Sequence, residues 1–236
     1  MYDQVVTTLA LTMGVAWASG INLYATIAVV GALGRMGEIN LPPDLEVLEN
    51  EIVIAAAALM YFVEFFMDKV PGVDTGWDTI HTFIRIPAGA MLAAGAVGDL
   101  SPAVQVAAGI LGAGAATSSH ATKAGSRVLI NTSPEPFSNW TASVAEDLAV
   151  FGGLWAALHH PWLFLGLFVA WVLLLIWLLP KVWRGIRKVF RWLARLLGAK
   201  DEPSLATPSD QPSLSFSGMA TPKPDETGGD SPNKPQ

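Results

Sequence analysis

Glu64 and Asp68 stand four residues apart, and Asp74, Asp78, His81 and Arg85 follow at intervals of four, three and four. Helical periodicity puts Glu64 and Asp68 on one face and gathers the other four on a single face of the next helix. With Lys69 in the short connection between them, these residues offer one another carboxylates, an imidazole and two cationic groups. His81 is the member suited to exchanging a proton near neutral pH. The chemistry on offer is a polar or ion pathway, or else an ion-pair network that holds two helices together. In the second case Arg85 neutralises Glu64 or Asp68, Asp78 caps a helix and Asp74 fixes the Pro-Gly turn. Glu64, Asp68, Asp78 and His81 are metal-ligating types, but their spacing matches no established motif and two bases compete with any cation. Neither a metal nor a cofactor is expected.

Two further polar sets interrupt apolar sequence. Ser19, Gly20, Asn22 and Tyr24 break the first apolar block, and Ser118, Ser119, His120 and Lys123 make the second half of the fourth block polar. Both read as helix breaks, which at membrane depth are tolerated where they are buried in protein or line a hydrated cavity. Gly20-Ile-Asn-Leu-Tyr-Ala-Thr26 and Thr117-Ser-Ser-His-Ala-Thr122 also resemble each other, and each precedes a Pro-containing loop and then Glu51 or Glu146. That pattern predicts two three-span halves of opposite orientation, an inverted repeat whose interrupted helices meet near the midplane. Ser118, Ser119 and His120 supply residue types for hydrolysis without a recognisable nucleophile elbow or triad order.

These residues have to be positioned by membrane helices. The chain of 236 residues is 52% hydrophobic and 14% charged, with a mean hydropathy of +0.43. That is too apolar for an ordinary soluble domain, and apolar blocks separated by Pro, Gly and charges predict an all-α polytopic helix bundle rather than a β-barrel. Six spans are expected, near Val5 to Leu33, Ile52 to Met67, Thr79 to Val97, Ala103 to Ala116 with its polar continuation, Ala142 to Leu158, and Trp162 to Leu179. With no cysteine in the chain, disulfides, thiolate ligands and a Cys nucleophile are excluded.

Basic residues from Lys181 to Lys200 place the C-terminus in the cytoplasm, and an even span count places the N-terminus there too. Residues 1–180 are then a transmembrane domain. Residues 181–199 form a basic amphipathic helix on anionic lipid headgroups, and residues 200–236 a disordered cytoplasmic tail. The lipid bilayer is the expected partner, a nucleic-acid role has no support beyond that one basic segment, and homo-oligomerisation stays open.

The run Val63-Glu-Phe-Phe-Met-Asp-Lys-Val-Pro-Gly-Val-Asp-Thr-Gly-Trp-Asp-Thr-Ile-His-Thr-Phe-Ile-Arg-Ile-Pro-Ala-Gly89, preceded by Ser19-Gly-Ile-Asn-Leu-Tyr24, resembles the bacterial integral-membrane family known as domain of unknown function 4126. The resemblance covers about Leu9 to Pro180. It implies a multi-span inner-membrane protein and brings no activity, substrate or catalytic residue with it. The residues themselves point to a small transporter or channel-like protein for an unspecified solute or ion. The alternative is a non-transporting structural or interaction protein whose tail recruits cytoplasmic partners. An intramembrane hydrolase is a third reading, with residue types but no complete constellation.

Overall fold

The structure, a computed structural model, describes residues 2–70, 73–98, 100–130 and 136–196. Those residues form α1 (Tyr2–Ile21), α2 (Leu23–Arg35), a 3-10 turn (Pro43–Glu49), α3 (Glu51–Met67), α4 (Val73–Ala96), α5 (Pro102–Ile130), α6 (Pro136–His159) and α7 (Pro161–Leu196). Among the described residues there is no strand. Helix boundaries follow local chemistry. Prolines open α5, α6 and α7, where a missing N–H costs nothing. Gly98, just past α4, turns the chain with a φ of +60°, a value glycine adopts without a Cβ penalty.

At the centre, α4 and α5 pack against each other along most of their lengths and α1 packs against both. Small residues allow this. A Cβ at Gly20 of α1 would lie 2.8 Å from Ala116 Cα and closer still to Ala116 O and Ser119 Oγ. At Gly112 of α5 it would collide with Ala93 Cβ and stand 2.7 Å from Gly89 O on α4. Backbones that approach this closely gain dispersion contact without depending on water release, the packing mode of helices in lipid. Around this crossing, Val15, Ile21, Leu23, Val30, Leu45, Leu48, Leu92, Val150 and Leu154 form the apolar core. The first half of α7 docks on α1 and α6 through Phe164, which lies against Trp17, Ala10 and Ala157.

The first apolar block is two helices rather than one weakened span. Asn22 leaves the helical conformation (φ −145°, ψ 99°), and its Oδ1 accepts from Ala25 N–H at 2.9 Å to cap α2. The expected break in the fourth block is absent. The chain is helical without interruption through Ser118, Ser119, His120 and Lys123. There the hydroxyls of Thr117, Ser118 and Thr122 donate to carbonyls four residues back, so polar side chains are satisfied without opening the helix. The paired segments of the expected inverted repeat therefore differ, one broken and one continuous. α4 begins at Val73, six residues before the expected Thr79, so Asp78 lies inside the helix and does not cap it.

The chain divides into two compact units, Met1–Leu179 and Pro180–Gln236. In the second, residues through Leu196 are helical, while residues 197–236 lie outside the described residues. Tyr2–Ile21 and Pro161–Lys181 are each long and apolar enough to cross a membrane. The 3-10 turn and α3, bent by 67°, add a third crossing if taken as one span.

Candidate functional site

The seven ionisable residues between Val63 and Pro87 are all buried, including Glu64 and Arg85 at 0% exposure. Their expected register holds. Glu64 sits in the last turn of α3, and Asp68 is its C-cap, with its N–H bonded to Glu64 O. Asp74, Asp78, His81 and Arg85 are all buried on α4. Yet α3 and α4 share little backbone contact. Charged side chains span the distance: Arg85 Nη2 donates to Glu64 Oε1 at 2.5 Å, and Nη1 donates to Asp78 Oδ1 at 3.1 Å.

The cluster reaches well beyond these two helices. Lys123 Nζ on α5 lies 2.7 Å from Asp68 Oδ2, 3.2 Å from Glu64 Oε1, 3.6 Å from Glu146 Oε2 and 3.7 Å from Asp78 Oδ1. One turn on, Arg127 grips Glu146 of α6 with two N–H groups, at 3.1 Å and 2.7 Å. It also donates to Ser143 Oγ at 3.0 Å and to the Asp68 carbonyl at 2.8 Å. Four carboxylates (Glu64, Asp68, Asp78, Glu146) thus face three bases (Arg85, Lys123, Arg127). Glu64 Oε2, Asp68 Oδ1 and Asp78 Oδ2 are buried without a hydrogen-bond partner.

The two histidines have different partners. His120 Nδ1 lies 3.1 Å from Arg85 Nη1, which can only donate, so Nδ1 accepts. Its Nε2–H therefore donates to Thr82 Oγ1 at 2.6 Å, while that hydroxyl donates to the Asp78 carbonyl. A proton added to Nδ1 would face a guanidinium. His81 differs: Nδ1–H donates to the Trp77 carbonyl at 2.9 Å, and Nε2 shares a hydrogen bond with Tyr24 Oη at 3.1 Å. Its partners on both sides are uncharged. Tyr24, two residues past the Asn22 break, thereby joins α2 to α4.

The remaining sequence candidates divide. Ser119 donates to the Trp17 carbonyl at 2.8 Å and fastens α5 to α1, while Ser19 bonds within its own helix to Ala16 O. Ser118 is satisfied within α5. Gly20 serves close packing. Lys69, in the connection after α3, donates to Phe65 O at 3.0 Å and lies between the rings of Phe65 and Trp140. Burial pulls its ammonium below the ordinary lysine value, against the opposing fields of Asp147 and Asp68. Asp147 itself accepts from Tyr61 Oη at 3.2 Å, a second link between α3 and α6.

Arg127 and Glu146 are the members of the cluster that were not among the sequence candidates. The signal for Arg127 lies on α5, where Gly112, Ala116, His120, Lys123 and Arg127 recur every three or four residues and change from small to charged along one face. Among the described residues, no three His, Cys, Asp or Glu side chains converge to hold a metal ion. The chain matches the family described as domain of unknown function (DUF4126) over residues 9–181. No curated protein and no solved structure matches it.

Proposed function

We propose, for a chain that belongs to the DUF4126 family and takes no activity from that membership, a small membrane transporter or channel-like protein whose flux is linked to a cation through the buried cluster. The observation that carries this reading is a buried network of four carboxylates and three bases in which three carboxylate oxygens have no hydrogen-bond partner. Buried carboxylate oxygens without a partner are costly in a low-dielectric interior, and a proton or other cation taken up there offsets that cost. Helices that needed only to be held together would close with less desolvation through apolar contact.

Membrane embedding is supported by the inverted surface. Charges fill the interior while Phe62 and Phe66 of α3, Phe83 and Met91 of α4, Ile110 of α5 and Leu148 of α6 are exposed. At 1.5 Å per residue, the 24 residues of α4 and of α6 reach about 36 Å and the 29 of α5 about 44 Å, against a hydrocarbon core of about 30 Å. We therefore keep the six-span reading in a bacterial inner membrane, with both termini cytoplasmic on the basis of the Lys and Arg distribution.

The test is Glu64→Gln in proteoliposomes, with a trapped pH dye following proton-linked flux. The expected result is at least a tenfold loss with folded protein retained; flux equal to wild type overturns the reading. A structural and partner-recruiting role is favoured by the closure of the cluster, where Glu64 and Arg85 are both 0% exposed. In that case deleting the chain after Lys181 abolishes the cellular phenotype, whereas a transporter core keeps its flux.

A further inference from the structure

We propose that His81 is a proton-binding site, and that the proton it takes up turns the Tyr24 hydroxyl from donor to acceptor, linking the charge state of α4 to α2. This deepens the transport reading by naming the proton as the coupling ion, and rests on that reading only where flux is concerned. Nδ1 of His81 faces the Trp77 carbonyl at 2.9 Å, and a carbonyl can only accept, so Nδ1 carries its hydrogen whether the ring is neutral or charged. Nε2 is therefore the atom that titrates. Its partner at 3.1 Å, Tyr24 Oη, donates to the lone pair of a neutral ring or accepts from the N–H of a charged one. One set of heavy-atom positions holds both states.

The surroundings also suit the charged ring. His81 is 4% exposed, so a charge there has to be met by fixed partners rather than by water. Trp77 stacks on the imidazole with centroids 4.4 Å apart and planes inclined by 27°, within reach of a cation–π contact. The Trp77 carbonyl and the Tyr24 hydroxyl meet the two ring nitrogens. His120 lacks this freedom, because the group facing its Nδ1 is the Arg85 guanidinium, which has no lone pair to accept a ring proton.

The charges on the elements packed against α4 are few at this level. Asp74, Asp78 and Arg85 share α4 with His81, α5 brings His120 and Lys123, and α3 brings Glu64 and Asp68. Arg85 and Lys123 are both paired with Glu64 and Asp78, which offsets their fields. The charges of α1 and α2 lie at their far ends, Asp3 in the first turn of one and Arg35 in the last turn of the other. The acidic 3-10 turn meets α4 at Gly95.

Proton uptake forms the Nε2–H bond and breaks an O–H bond of hydronium, which leaves as water. The Tyr24 hydroxyl, now accepting, has to aim its own hydrogen elsewhere. Glu64 and Arg85 are the charges that act on Tyr24. Arg85 can only donate, so the freed hydrogen turns toward Glu64, whose Oε2 is buried without a hydrogen-bond partner.

The experiment is nitrogen NMR of the full-length protein in detergent, with isotope-labelled histidine and His159→Gln/His160→Gln in every sample, so that His81 and His120 supply all the imidazole resonances. On acidification from about pH 8 to about pH 5, the range over which imidazole changes charge, one of the two rings is expected to gain a proton. That change is expected to be absent from His81→Gln and present in His120→Gln, so whichever variant is recovered folded assigns it. Trp77→Leu is expected to lower its midpoint by at least about 0.4 pH unit, the smallest cation–π contribution converted at about 1.36 kcal/mol per unit. No change of charge at His81 across that range overturns the proposal, as does a titrating ring that survives in His81→Gln. In proteoliposomes Tyr24→Phe, which keeps the ring and removes the hydroxyl, is expected to abolish the pH dependence of flux; an unchanged dependence overturns the link to α2. A His81 that does not titrate, with flux still lost in Glu64→Gln, leaves the transport reading standing. A titrating His81 with intact flux in Glu64→Gln removes the transport reading and keeps the proton site.

Discussion

Replacing Arg85 by Met tests whether the cluster behaves as one electrical unit. Both Arg85 and Glu64 are 0% exposed, so solvent does not screen their interaction. The substitution removes the contacts at 2.5 Å to Glu64 and 3.1 Å to Asp78 and leaves four carboxylates facing Lys123 and Arg127. Breaking a buried pair from one side costs about 3–5 kcal/mol. Glu64 keeps Lys123 at 3.2 Å, which places the expected loss at the lower end, about 3 kcal/mol. For a chain of this size that lowers the unfolding midpoint by about 6–12 °C. Adding Glu64→Met removes the stranded acid. The double variant is expected to lose less than Arg85→Met alone, a coupling of at least about 2 kcal/mol. The assay is thermal unfolding of the four proteins of the cycle in one detergent, followed by tryptophan fluorescence. A double loss equal to the sum of the single losses within about 0.5 kcal/mol refutes the idea of a shared network.

Gly20→Ala forces a Cβ against Ala116 and Ser119 and is expected to cost about 1–3 kcal/mol, whereas Gly114→Ala, with nothing within 4 Å, is expected to be neutral or stabilising. Equal midpoints for the two variants would contradict the close crossing of α1 and α5. Asn22→Ala removes the cap of α2 and is expected to lower stability by about 1 kcal/mol, readable in the same unfolding assay. The depressed Lys69 ammonium means the unfolded chain binds more protons than the folded one between the folded value and about 10.4. Stability is therefore expected to rise with pH through that window. Lys69→Met should flatten that part of the profile, and a slope unchanged in the variant refutes it.

The charged faces of α3 and α4 were legible because helical spacing is a property of the chain alone, as Glu64 with Asp68 and Asp78 with Arg85 illustrate. The break at Asn22 was legible too, since Ser, Gly and Asn together favour caps over helix interior. The matching prediction at Thr117–Lys123 failed because hydroxyls can return their hydrogen bonds to the preceding turn, and because Lys123 and Arg127 had buried carboxylates waiting on other helices. Polarity was read there as a backbone break when it was a side-chain function. Which helix supplies each partner depends on the packing of α4 against α5 through Gly89 and Gly112, and no local pattern encodes that.

The pairing of Lys123 with acids on α3 also gives the network an order in time. Glu64 and Arg85 are separated by 21 residues, but Lys123 follows Glu64 by 59. At about 5–20 residues per second, that interval lasts about 3–12 s of synthesis. Through it, α3 and α4 leave the ribosome with Arg85 as the first base to reach Glu64, and Asp68 waits for α5. A nascent chain stopped before Lys123 should therefore leave the Asp68 end of α3 accessible to water-soluble labelling reagents and lose that accessibility once α5 has emerged. The cluster that holds four helices together is, during synthesis, the reason the third must wait for the fifth.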